Sequence, residues 1–147
     1  MLKHGIINAD IKYLLASLGH RDRIAITDAG YNVPSGIPKI DIAFLPGMPE
    51  LLPILDGVLD EIAVEQVVLA EEIKSMAPKL HEEYRKRFPE KKICYIPHSE
   101  FDKVIKDVKG VIRTGQYGLH APNIILQAGC TYDSEAVSYT HLRAHET

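Results

Sequence analysis

The chain has 147 residues, one domain's worth of length, and at 46% hydrophobic and 25% charged it holds enough apolar material for one core. Seventeen basic residues against twenty acidic ones give a net charge of −3, with no basic block to neutralise phosphates, so nucleic acid is excluded as a partner. Cys94 and Cys130 are too few for a disulfide framework, the opening MLKHGIINADIK lacks the apolar run of a signal peptide, and no stretch approaches the ~20 apolar residues that span a bilayer. These features predict a cytoplasmic protein with two free thiols and no membrane partner.

From Asn8 to Leu18 the apolar residues Ile11, Leu14, Leu15 and Leu18 recur at helical spacing, with Asn8 as cap and Gly19 as stop. His20 therefore sits just past a helix end. Arg23 to Thr27 is short and rich in branched side chains, which predicts a buried strand with Asp28 at its tip. The stretch YNVPSGIP is a loop, because two prolines and a glycine interrupt either regular structure. Lys39 to Leu45 alternates Ile40, Ile42 and Phe44 inward, the period of a half-buried strand.

Glu50 to Leu59 reads as a helix with Pro53 in its first turn. Val64 to Met76 is ambiguous between a strand handing over to a helix and a helix that begins earlier. Leu80, Tyr84 and Phe88 mark a surface helix, Lys92 to Ile96 a strand, and Ser99 with Asp102 an approximate capping box for a helix that Gly110 stops. Val111 to Thr114 and Asn123 to Gln127 are the last two strands, joined by the loop GQYGLHAP. Strands alternating with helices predict a single compact α/β domain, a mixed, partly parallel sheet flanked by helices.

In sheets of this class ligands collect beyond the strand ends. His20, Asp28, His98 and Asn123 all stand at predicted element ends, and Tyr117 and His120 lie in the loop before Asn123. Two imidazoles, a carboxylate and an amide could converge on one small polar ligand. Each also has a structural reading: His20 suits a helix carboxyl end, Asp28 a turn, His98 the approach to a helix, and Asn123 a bend. Metal chemistry has little support, since none of the five histidines before residue 133 falls in a tight ligand spacing such as HExxH. No phosphate-binding GxxxxGK[ST] or GxGxxG and no GxSxG elbow is present. Cys94 and Cys130 read as packed small hydrophobes rather than nucleophiles.

The strings LGHRDRIAITDAGYNVP, KIDIAFLPGMP, VEQVVLAEEIK, YIPHSEF, VIRTG and NIILQAG, in this order over residues 1–132, resemble the ribose pyranase and fucose mutarotase family. The DAG followed by a proline-bearing loop is more similar to its ribose branch than to its fucose branch. The resemblance implies interconversion of the pyranose and furanose forms of a free sugar, D-ribose, without a cofactor. It implies His20 as proton donor with Asp28 in the catalytic pair, Asp28 and His98 as substrate-binding residues, and a sugar-contacting segment of His120, Ala121, Pro122 and Asn123. It also implies a ring-like homo-oligomer, a decamer of two stacked pentamers, with sites between subunits.

This chain departs from that pattern in two places. Members carry a Tyr two positions before the Asn, where Ala121 stands here, and the loop from Gly115 to Asn123 is one residue longer; Tyr117 or His120 is the candidate to supply the ring or donor. The final SYTHLRAHET resembles translated sequencing-adaptor read-through, so residues 133–147 are expected to be a non-native or disordered tail. The altered loop keeps alternatives open: a sugar-binding or regulatory protein without turnover, a mutarotase for fucose or allose, or an assembly subunit with no ligand site.

Opening a sugar hemiacetal moves one proton off the anomeric hydroxyl and one onto the ring oxygen. An imidazole that titrates near neutrality suits a reaction that must run in both directions. Asp28, if within hydrogen-bond reach, would hold one nitrogen of His20 and aim the other at the ring oxygen.

Overall fold

The computed structural model describes residues 1–132, so the expected tail lies outside the described residues. In chain order the elements are helix α1 (Ala9–Ala16), strands β1 (Arg23–Thr27) and β2 (Lys39–Asp41), helix α2 (Leu51–Leu59), strand β3 (Val64–Ala70), helices α3 (Ile73–Met76) and α4 (Pro78–Arg87), strand β4 (Ile93–Ile96), helix α5 (His98–Val104), and strands β5 (Gly110–Arg113) and β6 (Ile124–Ala128). The strands form one sheet in the order β2-β5-β1-β6-β3-β4. Every neighbouring pair is parallel except those made by β6, which runs antiparallel to both β1 and β3. The first five strands therefore all end at one edge, and β6 begins there.

Period-two alternation divides the strand side chains between two cores. Ile24 and Ile26 of β1, Val67 and Leu69 of β3, and Ile124 and Leu126 of β6 meet α1, α2 and α4 on one face. Ala25, Val68, Val111 and Ile125 meet Phe101 and Ile105 on the other. The second face carries smaller side chains and is covered by α5, its continuing turn and the loop bearing Tyr31, Val33 and Ile37. This asymmetry leaves space beside α5 at the sheet edge.

Most predicted elements stand, and the exceptions have local causes. The segment from Val64 is a strand to Ala70, because it is hydrogen-bonded on both sides, by β6 and β4. β2 stops at Asp41 instead of continuing to Leu45: the chain folds back so that the N–H groups of Phe44 and Leu45 both donate to the Met48 carbonyl, at 3.0 and 3.3 Å. Phe44, expected inward, is consequently exposed. Helix α5 begins at His98, one residue ahead of the expected cap Ser99; its capping function falls to Glu72, whose two carboxylate oxygens accept from the His98 N–H at 3.1 and 3.0 Å. Gly110 opens β5 rather than ending a helix. A Cβ there would lie 2.9 Å from the Leu14 side chain, so a larger residue would require Leu14 of α1 to shift. Cys94 is half-buried in β4, whereas Cys130 is exposed and not packed as expected.

Candidate active site at the carboxyl edge of the sheet

Where β1 and β5 end, two buried threonines lock the strands: Thr114 donates through its backbone N–H (2.9 Å) and its hydroxyl (2.7 Å) to the Thr27 carbonyl. The chain leaves β1 at Asp28, beside the amino end of β6. There the side-chain Oδ1 of buried Asn123 accepts from the Asp28 backbone N–H at 2.8 Å. That bond uses the carbonyl side of the amide and leaves the Asn123 NH2 as a donor. One hydrogen bond thus fixes the Asn123 side chain against the Asp28 backbone, at the head of two adjacent strands.

These residues wall a cavity of about 550 Å³, large enough for a monosaccharide. Asp28 and Asn123 lie on its floor side, His98 and Asp102 come from α5, and His120 and Ala121 from the loop entering β6. Asp28 is half-buried, and loss of hydration pushes its carboxyl up from the ordinary aspartate value, against the pull of the backbone N–H groups of Tyr31 and Gly30 and of the Arg113 charge. A carboxyl poised in this way exchanges protons more readily at neutral pH than a solvated one.

Tyr31, which also lines the cavity, donates from its hydroxyl to Asp102 at 2.6 Å, while Asp102 lies 3.4 Å from Nδ1 of His98. Burial and the adjacent carboxylate push the Tyr31 hydroxyl up, so it remains a donor. Asp102 on its Nδ1 side and Phe101 stacked at 6.3 Å hold the His98 ring in the cavity wall and leave Nε2 without a partner among the described residues. Lys106 supplies the cavity's one lining cation among the described residues.

The loop entering β6 is held from beneath. Tyr84 of α4 is fully buried and donates its hydroxyl to the Pro122 carbonyl. Ala121, next to it, takes a left-handed φ of 55°, a strained conformation for a residue with a side chain. Pro122, expected to touch the substrate, is buried and absent from the cavity wall. Of the two rings expected to fill the altered loop, His120 lines the cavity and Tyr117 does not; Tyr117 borders a neighbouring depression with Phe44 and Arg113.

His20 stands elsewhere. It precedes β1 whereas Asp28 follows it, and a five-residue strand at roughly 3.3 Å per residue keeps them about 17 Å apart. Within one chain the expected pair does not form. At the opposite edge of the sheet, His20 Nε2 lies 2.9 Å from Glu65 Oε2, and Gln127 donates to Glu65 Oε1 at 2.7 Å. A tight turn sets this position: the Gly19 N–H donates to the Asp22 carboxylate (2.8 Å), and Arg21, at φ 75°, donates its N–H to the Ala128 carbonyl (2.8 Å). Hydrogen bonds from Gln127 and His20 hold the Glu65 carboxyl below its usual range.

Sequence reasoning found the strand-end residues of the cavity but missed Tyr31, Asp102 and Lys106, and it missed Glu65 and Gln127 beside His20. Asp102 was visible only as a helix-capping residue, and Glu65 as one position of an apolar strand. The distance between His20 and Asp28 did leave a signal, because two residues that bracket one strand cannot meet.

Residues 1–131 match the sequence profile of the RbsD / FucU transport protein family. The chain is 43% identical over 135 residues to the D-ribose pyranase of Geobacillus kaustophilus, covering 92% of this chain and 98% of that one. It is likewise 43% identical over 132 residues to the D-ribose pyranase of Bacillus subtilis, covering 90% of this chain and all of that one. Among solved structures it resembles Bacillus subtilis RbsD complexed with D-ribose, with a TM-score of 0.85 and 42% identity over 90% of this chain and 100% of that one. The fucose mutarotase of Streptococcus pneumoniae in complex with L-fucose shares the fold, with a TM-score of 0.77 at 24% identity over 88% and 99% of the two chains.

Proposed function

Because the chain belongs to the RbsD / FucU transport protein family, we propose that it interconverts the pyranose and furanose forms of free D-ribose, an isomerase reaction carried by proton transfer alone. The observation that carries this reading is the convergence of the Asp28 carboxyl, the Asn123 amide and the His98 imidazole on one polar cavity at the strand ends. Asp28 takes the anomeric proton as the bond from the anomeric carbon to the ring oxygen breaks, and His20 gives a proton to that oxygen. A different hydroxyl then adds to the aldehyde, returning its proton to His20, while Asp28 reprotonates the carbonyl oxygen. Asn123, His98 and His120 hold hydroxyls, and a sugar that leaves these donors unpaired is disfavoured.

The separation of His20 from Asp28 supports a site completed between copies, His20 of one reaching the cavity of the next. Leu119 is exposed in the cavity wall, and Phe44, Leu45 and Tyr117 are exposed around the neighbouring depression, which gives this surface the apolar character of an assembly surface. On this reading the protein works as a ring-like homo-oligomer, ten copies in two stacked pentamers, in the cytoplasm. Among the described residues no helix is long and apolar enough to cross a membrane.

Saturation-transfer NMR on D-ribose, with L-fucose and D-allose in parallel, tests the proposal. The protein accelerates pyranose–furanose exchange of ribose, and His20→Ala, correctly folded, loses roughly 10²–10⁴-fold of that acceleration, the contribution of a positioned acid. Ribose binding without faster exchange would instead identify a sugar-holding protein.

A further inference from the structure

We propose that Glu65 is a positioning residue that fixes the tautomer of His20, so that Nδ1 is the nitrogen that passes a proton to and from the sugar; this rests on the proton-transfer role given to His20 above. The relay behind it has a polarity, and Arg23 sets that polarity. A guanidinium can only donate. Arg23 Nε donates to Gln127 Oε1 at 2.8 Å, which turns the amide of Gln127 so that its NH2 faces Glu65 Oε1 at 2.7 Å. The other carboxylate oxygen of Glu65 lies 2.9 Å from His20 Nε2. An ionised carboxylate only accepts, so Nε2 must carry the hydrogen.

Strand residues hold the chain of bonds in place, Arg23 on β1, Gln127 on β6 and Glu65 on β3. Arg21, whose charge also attracts the Glu65 carboxylate, favours its ionised form. Nothing among the described residues hydrogen-bonds Nδ1 of His20. That nitrogen is therefore the one available to a neighbouring copy's cavity. In the imidazolium form Nδ1–H gives its proton to the sugar's ring oxygen as that oxygen takes the electron pair of the breaking bond, and the ring returns to the neutral Nε2–H tautomer. On closure the attacking hydroxyl restores the Nδ1 proton.

Glu65→Gln tests this, because a glutamine cannot satisfy both neighbours in their present orientation. If its oxygen faced His20, its NH2 would meet the NH2 of Gln127, and turning Gln127 would set NH2 against the Arg23 N–H. The glutamine oxygen therefore accepts from Gln127, its NH2 donates to His20 Nε2, and the hydrogen moves to Nδ1. In 15N NMR of the neutral imidazole, the unmodified protein shows His20 as the Nε2–H tautomer and Glu65→Gln shows it as Nδ1–H. At saturating ribose the exchange rate of the variant falls by about tenfold or more, while its ribose dissociation constant stays within about twofold, because the carboxylate touches the imidazole and not the sugar. A Glu65→Gln protein that keeps the Nε2–H tautomer, or that keeps the full exchange rate, overturns the assignment. Unchanged exchange in His20→Ala would overturn the catalytic reading instead, and the spectra would still decide the tautomer.

Discussion

Asp28 is the residue at which folding and chemistry oppose each other most directly. Its backbone N–H anchors Asn123, while its carboxyl stands half-dehydrated at the cavity and is raised above its ordinary value, with burial as the main cause. The folded protein therefore keeps this proton to a higher pH than the unfolded chain does. Stability is lost as pH rises from the unfolded carboxyl value through the raised folded one, and the loss persists above it. Asp28→Asn removes the penalty and keeps the backbone bond to Asn123. In urea denaturation the variant is more stable than the parent at pH 7.5, with a smaller difference at pH 4, and its sugar exchange is lost. An equal difference at the two pH values would show that the carboxyl contributes no such penalty. The part of the site formed by Asp28, His98 and Asn123 was legible in the sequence because each closes or opens a strand. The partners Asp102 and Glu65 were not, because their sequence positions satisfied ordinary helix and strand patterns.

At the scale of elements, periodicity located the helices and strands but could not give β6 its direction. An antiparallel β6 puts Asn123 with the carboxyl ends of β1 and β4, and it puts Gln127 with His20; a parallel β6 would have exchanged them. Helix α4 acts on the site through one contact, the Tyr84 hydroxyl on the Pro122 carbonyl. Tyr84→Phe leaves that buried carbonyl without its partner, at a cost of about 1–3 kcal/mol, and frees the turn at Ala121 that aims Asn123. The expected outcome is a lower urea midpoint together with weaker ribose binding, although no cavity-lining residue is changed. A variant with unaltered midpoint and affinity would mean that the tether does not position the loop. The same loop is seated at its start by Gly115, where a Cβ would fall 2.2 Å from the Met48 carbonyl oxygen.

Across the whole molecule the two chemical groups occupy opposite edges of one sheet, about 17 Å apart by the length of β1 at roughly 3.3 Å per residue. If each working site combines His20 of one copy with Asp28 of another, two inactive variants can rescue each other. Co-expression of His20→Ala and Asp28→Asn chains then yields mixed assemblies with about a quarter of the parental exchange activity, since random pairing restores one junction in four. A mixture as inactive as either variant alone would place both groups in the same copy's site or remove one of them from the reaction.

The antiparallel run of β6 makes that strand an axle mounted at both ends. Asn123 is pinned to β1 at one rim, and Gln127 is clasped between Arg23 and Glu65 at the other. Sliding it by two residues would keep every apolar side chain facing the proper core and still wreck both rims together. A change of length inside β6 would therefore be felt at both rims, whereas one in the loop before Pro122 leaves the clasp on Gln127 untouched.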